Sequence, residues 1–190
     1  MSAATRPRYA IEEYVRIEEF ANLKHEYLDG QVWAMAGGTP EHARMASAVN
    51  AALVTQLRGK ACAVYSSDAR IRVVATGLDT YPDVTVVCGS EQRDVGDRLA
   101  LTNPVVLVEV TSDSSDAYDR GEKFEHYKRI PALREVVIVS HREPRLEVFR
   151  RADDGAWAKA EEARAGGRVR LQSIACELDA ADIYRDPFAG

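Results

Sequence analysis

Three short runs constrain this chain most. "DVTVVCG" (Asp83–Gly89), "PVVLVEV" (Pro104–Val110) and "REVVIVS" (Arg134–Ser140) are nearly unbroken apolar stretches rich in β-branched residues. A strand without apolar–polar alternation is covered on both faces, so these runs predict central strands of a sheet with layers on either side. Between the second and third lies "YDRGEKFEHYKRI", in which Phe124, Tyr127 and Ile130 recur at helical spacing. Strand, helix, strand in that order implies a crossover and a locally parallel pair.

The flanking segments supply the outer layers. "YAIEEYVRIEEF" spaces Ile11, Tyr14, Val15 and Glu18 as an amphipathic helix. "HEYLDGQVWAM" reads as a hairpin turning at Asp29-Gly30, a pair that tolerates the positive φ of a tight turn. Thr39 as N-cap, Pro40 at the first helical position and Glu41 in the first turn open a helix whose stripe is Met45, Val49, Leu53 and Leu57, closed by Gly59. "CAVYSSDARIRVV" alternates Ala69, Ile71 and Val73 with Arg70 and Arg72, the pattern of a half-exposed strand. A second hairpin turns at Asp153-Asp154-Gly155, and "VRLQSIACELDAADIY" reads as a short strand and a terminal helical turn. The expected class is α/β, one mixed central β-sheet flanked by helices, and 190 residues suit a single domain spanning 1–190.

Composition narrows the functional classes. With 46% hydrophobic and 29% charged residues the chain reads as globular. No apolar run approaches the ~20 residues that span a bilayer, and "MSAATRPRYA" lacks the apolar core of a secretory signal, so no membrane partner and a cytoplasmic location are expected. Cys62, Cys88 and Cys176 are odd in number and far apart, which predicts buried free thiols rather than a disulfide framework or zinc knuckle. The net charge of −5 argues against nonspecific coating of nucleic acid. Charge is uneven, however: Arg120 to Arg170 holds thirteen Lys or Arg against nine Asp or Glu, and Met1 to Asp119 eleven against seventeen. The basic stretch is either a face for a polyanion or a mixed solvated surface.

Glu109 interrupts the second apolar run, and burying an unpartnered carboxylate costs several kcal/mol. Asp83 follows Pro82 where the first run begins. If the two strands are neighbours, both carboxylates meet at one end of the sheet, where their mutual repulsion calls for a cation. Mg²⁺ or Mn²⁺ would accept one or two such carboxylates and keep water and phosphate oxygens as its other ligands. On the following helix Lys123 falls within the apolar arc, opposite Glu122, Glu125 and Arg129, so its ammonium must meet an anion in the interior, with Glu109 the natural candidate. Without a metal, the same residues read as a structural Glu109–Lys123 ion pair, with Asp83 accepting backbone N–H groups at a strand start.

"YPD" (81–83), "VLVEVTS" (106–112) and the lysine of "DRGEKFEHY", with the "EEY" helix, "HEYLDGQVWAM" and "REVVIVS" around them, resemble the Uma2-type family of restriction-endonuclease-like bacterial proteins, a domain of unknown function within the PD-(D/E)XK nuclease superfamily. The resemblance implies a restriction-endonuclease-like core, Asp83 and Glu109 as metal ligands, Lys123 as catalytic lysine and Glu26 as an additional acid. Superfamily nucleases commonly carry the lysine two residues after the acid, where this chain has Thr111; Lys123 instead reaches back from the helix.

Catalytic candidates are therefore Asp83, Glu109 and Lys123, with Glu26, His42 and Thr111 as candidate contributors; His25, His126 and His141 show no metal-ligand spacing. The first reading is a Mg²⁺- or Mn²⁺-dependent endonuclease acting on DNA, with a homodimer expected because nucleases that cut both strands often pair. The alternatives are a catalytically inactive module that binds nucleic acid or a protein partner, and a hydrolase of small phosphoesters.

Overall fold

The computed structural model describes residues 7–35 and 37–188. In chain order the elements are α1 (Ile11–Phe20), β1 (His25–Leu28), β2 (Gln31–Ala34), α2 (Pro40–Gln56), β3 (Cys62–Ser66), β4 (Arg70–Val73), β5 (Leu78–Thr80), β6 (Val84–Cys88), β7 (Ala100–Leu101), β8 (Val106–Val110), α3 (Asp116–Arg120), α4 (Glu122–Tyr127), β9 (Glu135–Val139), β10 (Arg145–Arg151), β11 (Trp157–Arg164), β12 (Arg168–Leu171), β13 (Cys176–Asp179) and α5 (Ala180–Ile183).

The three apolar runs become β6, β8 and β9, adjacent in a six-stranded sheet ordered β11-β10-β9-β8-β6-β3. β8 and β9 run parallel across the α3–α4 crossover, and β6 pairs antiparallel with β8. The sheet is mixed, and its central strands β6, β8 and β9 are buried on both faces. On one face Val84, Val86, Val106, Val108 and Val110 pack with Met45, Val49 and Leu53 of α2 and with the β12–β13 pair. On the other, Val87, Leu107, Val136 and Ile138 pack with Phe124, Tyr127 and Ile130 of the crossover and with Ile71, Val73 and Leu78. Each such side chain, fully buried, contributes roughly 1.5–3 kcal/mol.

Helices flank the sheet less than expected, because a second sheet of five strands, β2-β1-β5-β4-β7, covers much of the second face. "CAVYSSDARIRVV" is accordingly two strands in different sheets, β3 in the larger and β4 in the smaller. Arg70 and Arg72 do not face solvent: Arg70 is 4% exposed and holds Asp97 at 2.6 Å, and Arg72 holds the buried Asp79. A period-two pattern reports which residues share a face; here both faces are covered.

Local signals account for the connections. Asp29 (φ 50°) and Gly30 (φ 81°) make the β1–β2 turn. The Thr39 hydroxyl accepts from the His42 N–H at 3.2 Å, capping α2 as its sequence requires. The crossover is not one helix but two short ones broken at Gly121, where a Cβ would lie 2.8 Å from the Ala117 carbonyl oxygen. The tail forms two antiparallel strands, β12 and β13, before α5, one strand more than its pattern suggested.

Two of the three cysteines are not free thiols. Cys62 and Cys88 face each other across the antiparallel β3–β6 pair and form a disulfide, and only Cys176 is free and buried. A separation of 26 residues concealed a register that makes them direct neighbours. No helix of the described residues is long and apolar enough to cross a membrane.

Candidate functional site

The β6–β8 register pairs Val84 with Val108, which sets Asp83 across from Glu109 at the sheet's end. Glu109 shares the face of Leu107, turned toward α4 and the smaller sheet, and is 3% exposed. Its Oε1 accepts the Tyr127 hydroxyl and lies 2.9 Å from Lys123 Nζ. Lys123 is buried as well, and its ammonium also faces Glu26 Oε1 at 3.4 Å and Asp119 Oδ1 at 3.5 Å. Glu26, on β1, is held by the Trp33 indole N–H at 3.1 Å and by the Thr80 hydroxyl.

Asp83 is reached from the other side. Its Oδ2 accepts the Val110 N–H at 2.8 Å and lies 3.3 Å from His42 Nε2, in the first turn of α2. The hydrogen bond to Asp83 raises the His42 pKa above its ordinary value, against the opposing effect of burial.

One ammonium thus stands among three buried carboxylates, with Asp83 and His42 beside them. Burial pushes the Glu109 carboxyl up to about 8, helped by the charges of Asp119 and Asp83 and opposed by Lys123. Asp119 is raised for the same leading reason. Burial alone works against the Lys123 ammonium, but Glu109, with Tyr127, Glu26 and Asp119, outweighs it and holds the lysine well above its ordinary value. Lys123 therefore stays charged while its surroundings carry excess negative charge, which only protons or a further cation can relieve.

Asp83 and Glu109 each keep one carboxylate oxygen that the donors named so far do not use. Asp83 Oδ2 and Glu109 Oε1 carry the donors described, whereas no protein donor among the described residues bonds Asp83 Oδ1 or Glu109 Oε2. Two hard carboxylate oxygens from facing strand positions, in a site short of positive charge, suit Mg²⁺ or Mn²⁺, which needs few protein ligands. Among the described residues there is no group of three or more His, Cys, Asp or Glu placed to hold a metal ion, so water and substrate would complete its shell.

Of the residues singled out in the sequence, Asp83, Glu109, Lys123, Glu26 and His42 come together. Thr111 does not join them: it is fully buried, and its hydroxyl pairs with His141 Nδ1 at 2.9 Å, fixing the turn after β8. Asp119, Tyr127 and Tyr118 went unrecognised. Asp119 and Tyr127 stand four residues on either side of Lys123, a spacing that stacks side chains on one helix face, and this is the signal that would have found them. The basic stretch is largely neutralised: Arg142 pairs with Asp113, Arg164 with Glu143 and Glu162, Arg168 with Asp179 and Lys159 with Glu162.

Known proteins share this framework. The uncharacterized protein slr1290 of Synechocystis sp. (strain ATCC 27184 / PCC 6803 / Kazusa) is 36% identical over 183 residues, covering 96% of this chain and 95% of that protein. A second from the same organism, sll1609, is 28% identical over 161 residues, 85% of this chain and 91% of that one. A crystal structure titled as that of "a putative nuclease belonging to DUF820" from Anabaena variabilis ATCC 29413 superposes with a TM-score of 0.71 over 92% of this chain and 96% of that chain, at 15% identity, and so shares the fold. Residues 11–181 match the Uma2 family, described as "Putative restriction endonuclease". With the family match running over residues 11–181 and a relative 36% identical across nearly its whole length, the chain belongs to the Uma2 family.

Proposed function

We propose that this protein is a Mg²⁺- or Mn²⁺-dependent endonuclease that hydrolyses phosphodiester bonds of DNA. The observation that carries the reading is the position of Asp83, just before β6, beside the end of β8 that bears Glu109, each acid with one oxygen free of donors among the described residues and Lys123 against Glu109. A divalent ion bound to those oxygens supplies charge neutralisation and polarisation of a phosphoryl oxygen. The chain's own residues do the rest. Lys123, fixed by Glu109 and Glu26, stabilises negative charge developing on the phosphate and orients water. Tyr127 holds Glu109 Oε1 and so sets the carboxylate plane, while the Val110 N–H and His42 do the same for Asp83.

One observation favours a second reading. Lys123 and Glu109 are each only 5% exposed at the side chain, and a network closed so tightly also suits a catalytically inactive module that binds nucleic acid or a protein. Supercoiled plasmid incubated with Mn²⁺ separates the two. Nicking that Asp83→Ala abolishes supports the endonuclease; intact plasmid with retained, salt-sensitive DNA binding supports the module.

A further inference from the structure

Beside the acidic cluster lies a cavity of about 470 Å³ that the proposed hydrolysis does not use. It falls within the roughly 300–1,000 Å³ of small-molecule sites. Its lining includes Tyr9, Val32, Trp33 and Tyr118 together with two exposed polar residues, Gln31 and Glu122. The three rings come from separate segments, namely the irregular stretch leading into α1, the β1–β2 hairpin and α3. Among the described residues none of them packs against another ring, although Tyr14–Tyr27 and the Phe124, Phe149 and Trp157 group do so elsewhere. All three are half-buried and line the cavity.

Two contacts couple this cavity to the cluster. Trp33 lines the cavity and donates its indole N–H to Glu26 Oε2 at 3.1 Å. Tyr118 lines it too, and its ring centroid lies 5.9 Å from Lys123 Nζ. Whatever enters is seated one side chain away from the groups proposed to act on phosphate. A second cavity, about 340 Å³ between Lys128, Arg129 and Trp157, has no such link.

We propose that this cavity takes an unpaired nucleobase of the substrate strand, with preference for a base bearing an exocyclic amine, adenine, cytosine or guanine, over thymine or uracil. The inference rests on the endonuclease reading and adds the form of the substrate: a strand single-stranded, or locally unpaired, at the position next to the cut. Three unstacked aromatic rings offer faces to any base. The two polar lining residues add discrimination. The Glu122 carboxylate is an acceptor only, so it bonds the amino group of adenine, cytosine or guanine, whereas thymine and uracil offer it a single ring N–H flanked by two carbonyl oxygens that it repels; the Gln31 amide matches either edge. A phosphate group would be repelled by the same carboxylate, which leaves the base as the part of the strand that fits.

The test measures binding apart from cleavage. Labelled single-stranded octamers with adenine, cytosine, thymine or an abasic site at the centre are titrated with the full chain in EDTA and followed by fluorescence anisotropy. Adenine and cytosine strands should bind about tenfold tighter than the abasic strand, and thymine should fall between. Tyr9→Ala should bring all four strands within about threefold of one another, and Glu122→Gln should remove the margin of adenine and cytosine over thymine. Neither variant alters the Asp83, Glu109 and Lys123 constellation, so Mn²⁺-dependent plasmid nicking is followed in parallel. Equal binding of all strands by the unaltered chain, or no binding of any, overturns the inference even if plasmid is nicked. Base-dependent binding without nicking upholds the cavity's role and overturns the endonuclease reading instead.

Discussion

Two glutamates on neighbouring parallel strands invite comparison. Glu135, at the start of β9, and Glu109, near the end of β8, are 0% and 3% exposed and both interrupt apolar runs. Glu135 has donors on both oxygens: Oε1 accepts Arg150 Nε at 2.7 Å and the Gln172 N–H at 3.0 Å, and Oε2 accepts the Ser173 N–H at 3.0 Å and the Ser173 hydroxyl. Glu109 has its two donors on one oxygen, and it shares its lysine with two other acids. A carboxylate enclosed by donors holds the fold together; one left half-coordinated keeps capacity for something that arrives later. The sequences "LVEVT" and "LREVV" do not distinguish the two cases.

The comparison can be broken most directly at Glu135. Glu135→Ala leaves Arg150 and two backbone N–H groups without their acceptor, and chemical denaturation should show a loss of about 3–5 kcal/mol. A loss below about 1 kcal/mol would mean that the enclosed glutamate is not structural. Glu109→Gln is the mirror experiment. Plasmid nicking should fall on the order of 100-fold, equivalent to about 2.7 kcal/mol, while the denaturation midpoint stays close to that of the unaltered chain.

Metal linkage sharpens the contrast further. With Mn²⁺ at ten times its Kd the melting temperature should rise by about 3–5 °C, from about 1.4 kcal/mol of stabilisation. Glu135→Gln should keep that rise and Glu109→Gln should lose it; a rise that survives Glu109→Gln places the ion elsewhere.

Asp79, an intermediate case, gives the smallest effect. Arg72 holds its Oδ2, while the buried Oδ1 has no partner among the described residues. Burial outweighs Arg72 and pushes the carboxyl up to about 7. Because the folded state then binds the proton more tightly than the unfolded chain, Asp79 contributes stability that is fully present below about pH 4 and is lost as pH rises through 7. Asp79→Asn should flatten the fall in stability between pH 4 and 8 by on the order of 1 kcal/mol, measured by denaturation across that range. An unchanged slope would show that Arg72 keeps the carboxylate ionised throughout.

Much of the framework was legible because it rests on local rules. The uninterrupted apolar runs gave the central strands, Asp29-Gly30 the turn, Thr39 and Pro40 the start of α2, and the placement of Lys123 among Phe124, Tyr127 and Ile130 its inward aim. What escaped notice depends on how distant segments meet. The Cys62–Cys88 bond follows from strand register, the burial of Arg70 from a second sheet, and the diversion of Thr111 to His141 from a loop thirty residues away. Asp119 is hidden for another reason: an inward lysine calls for one anion, Glu109 meets that need, and nothing in the sequence calls for a second.

The parallel strands β8 and β9 have a consequence for the order in which the molecule assembles. Glu109, Asp119, Lys123 and Tyr127 all lie within one strand–crossover–strand unit, so their mutual contacts need only short loops to close. Glu26 belongs to a hairpin near the other end of the chain and joins only when that hairpin docks. Long-range closure is the slower kind of event, so the lysine should find Glu109 early in folding and Glu26 late.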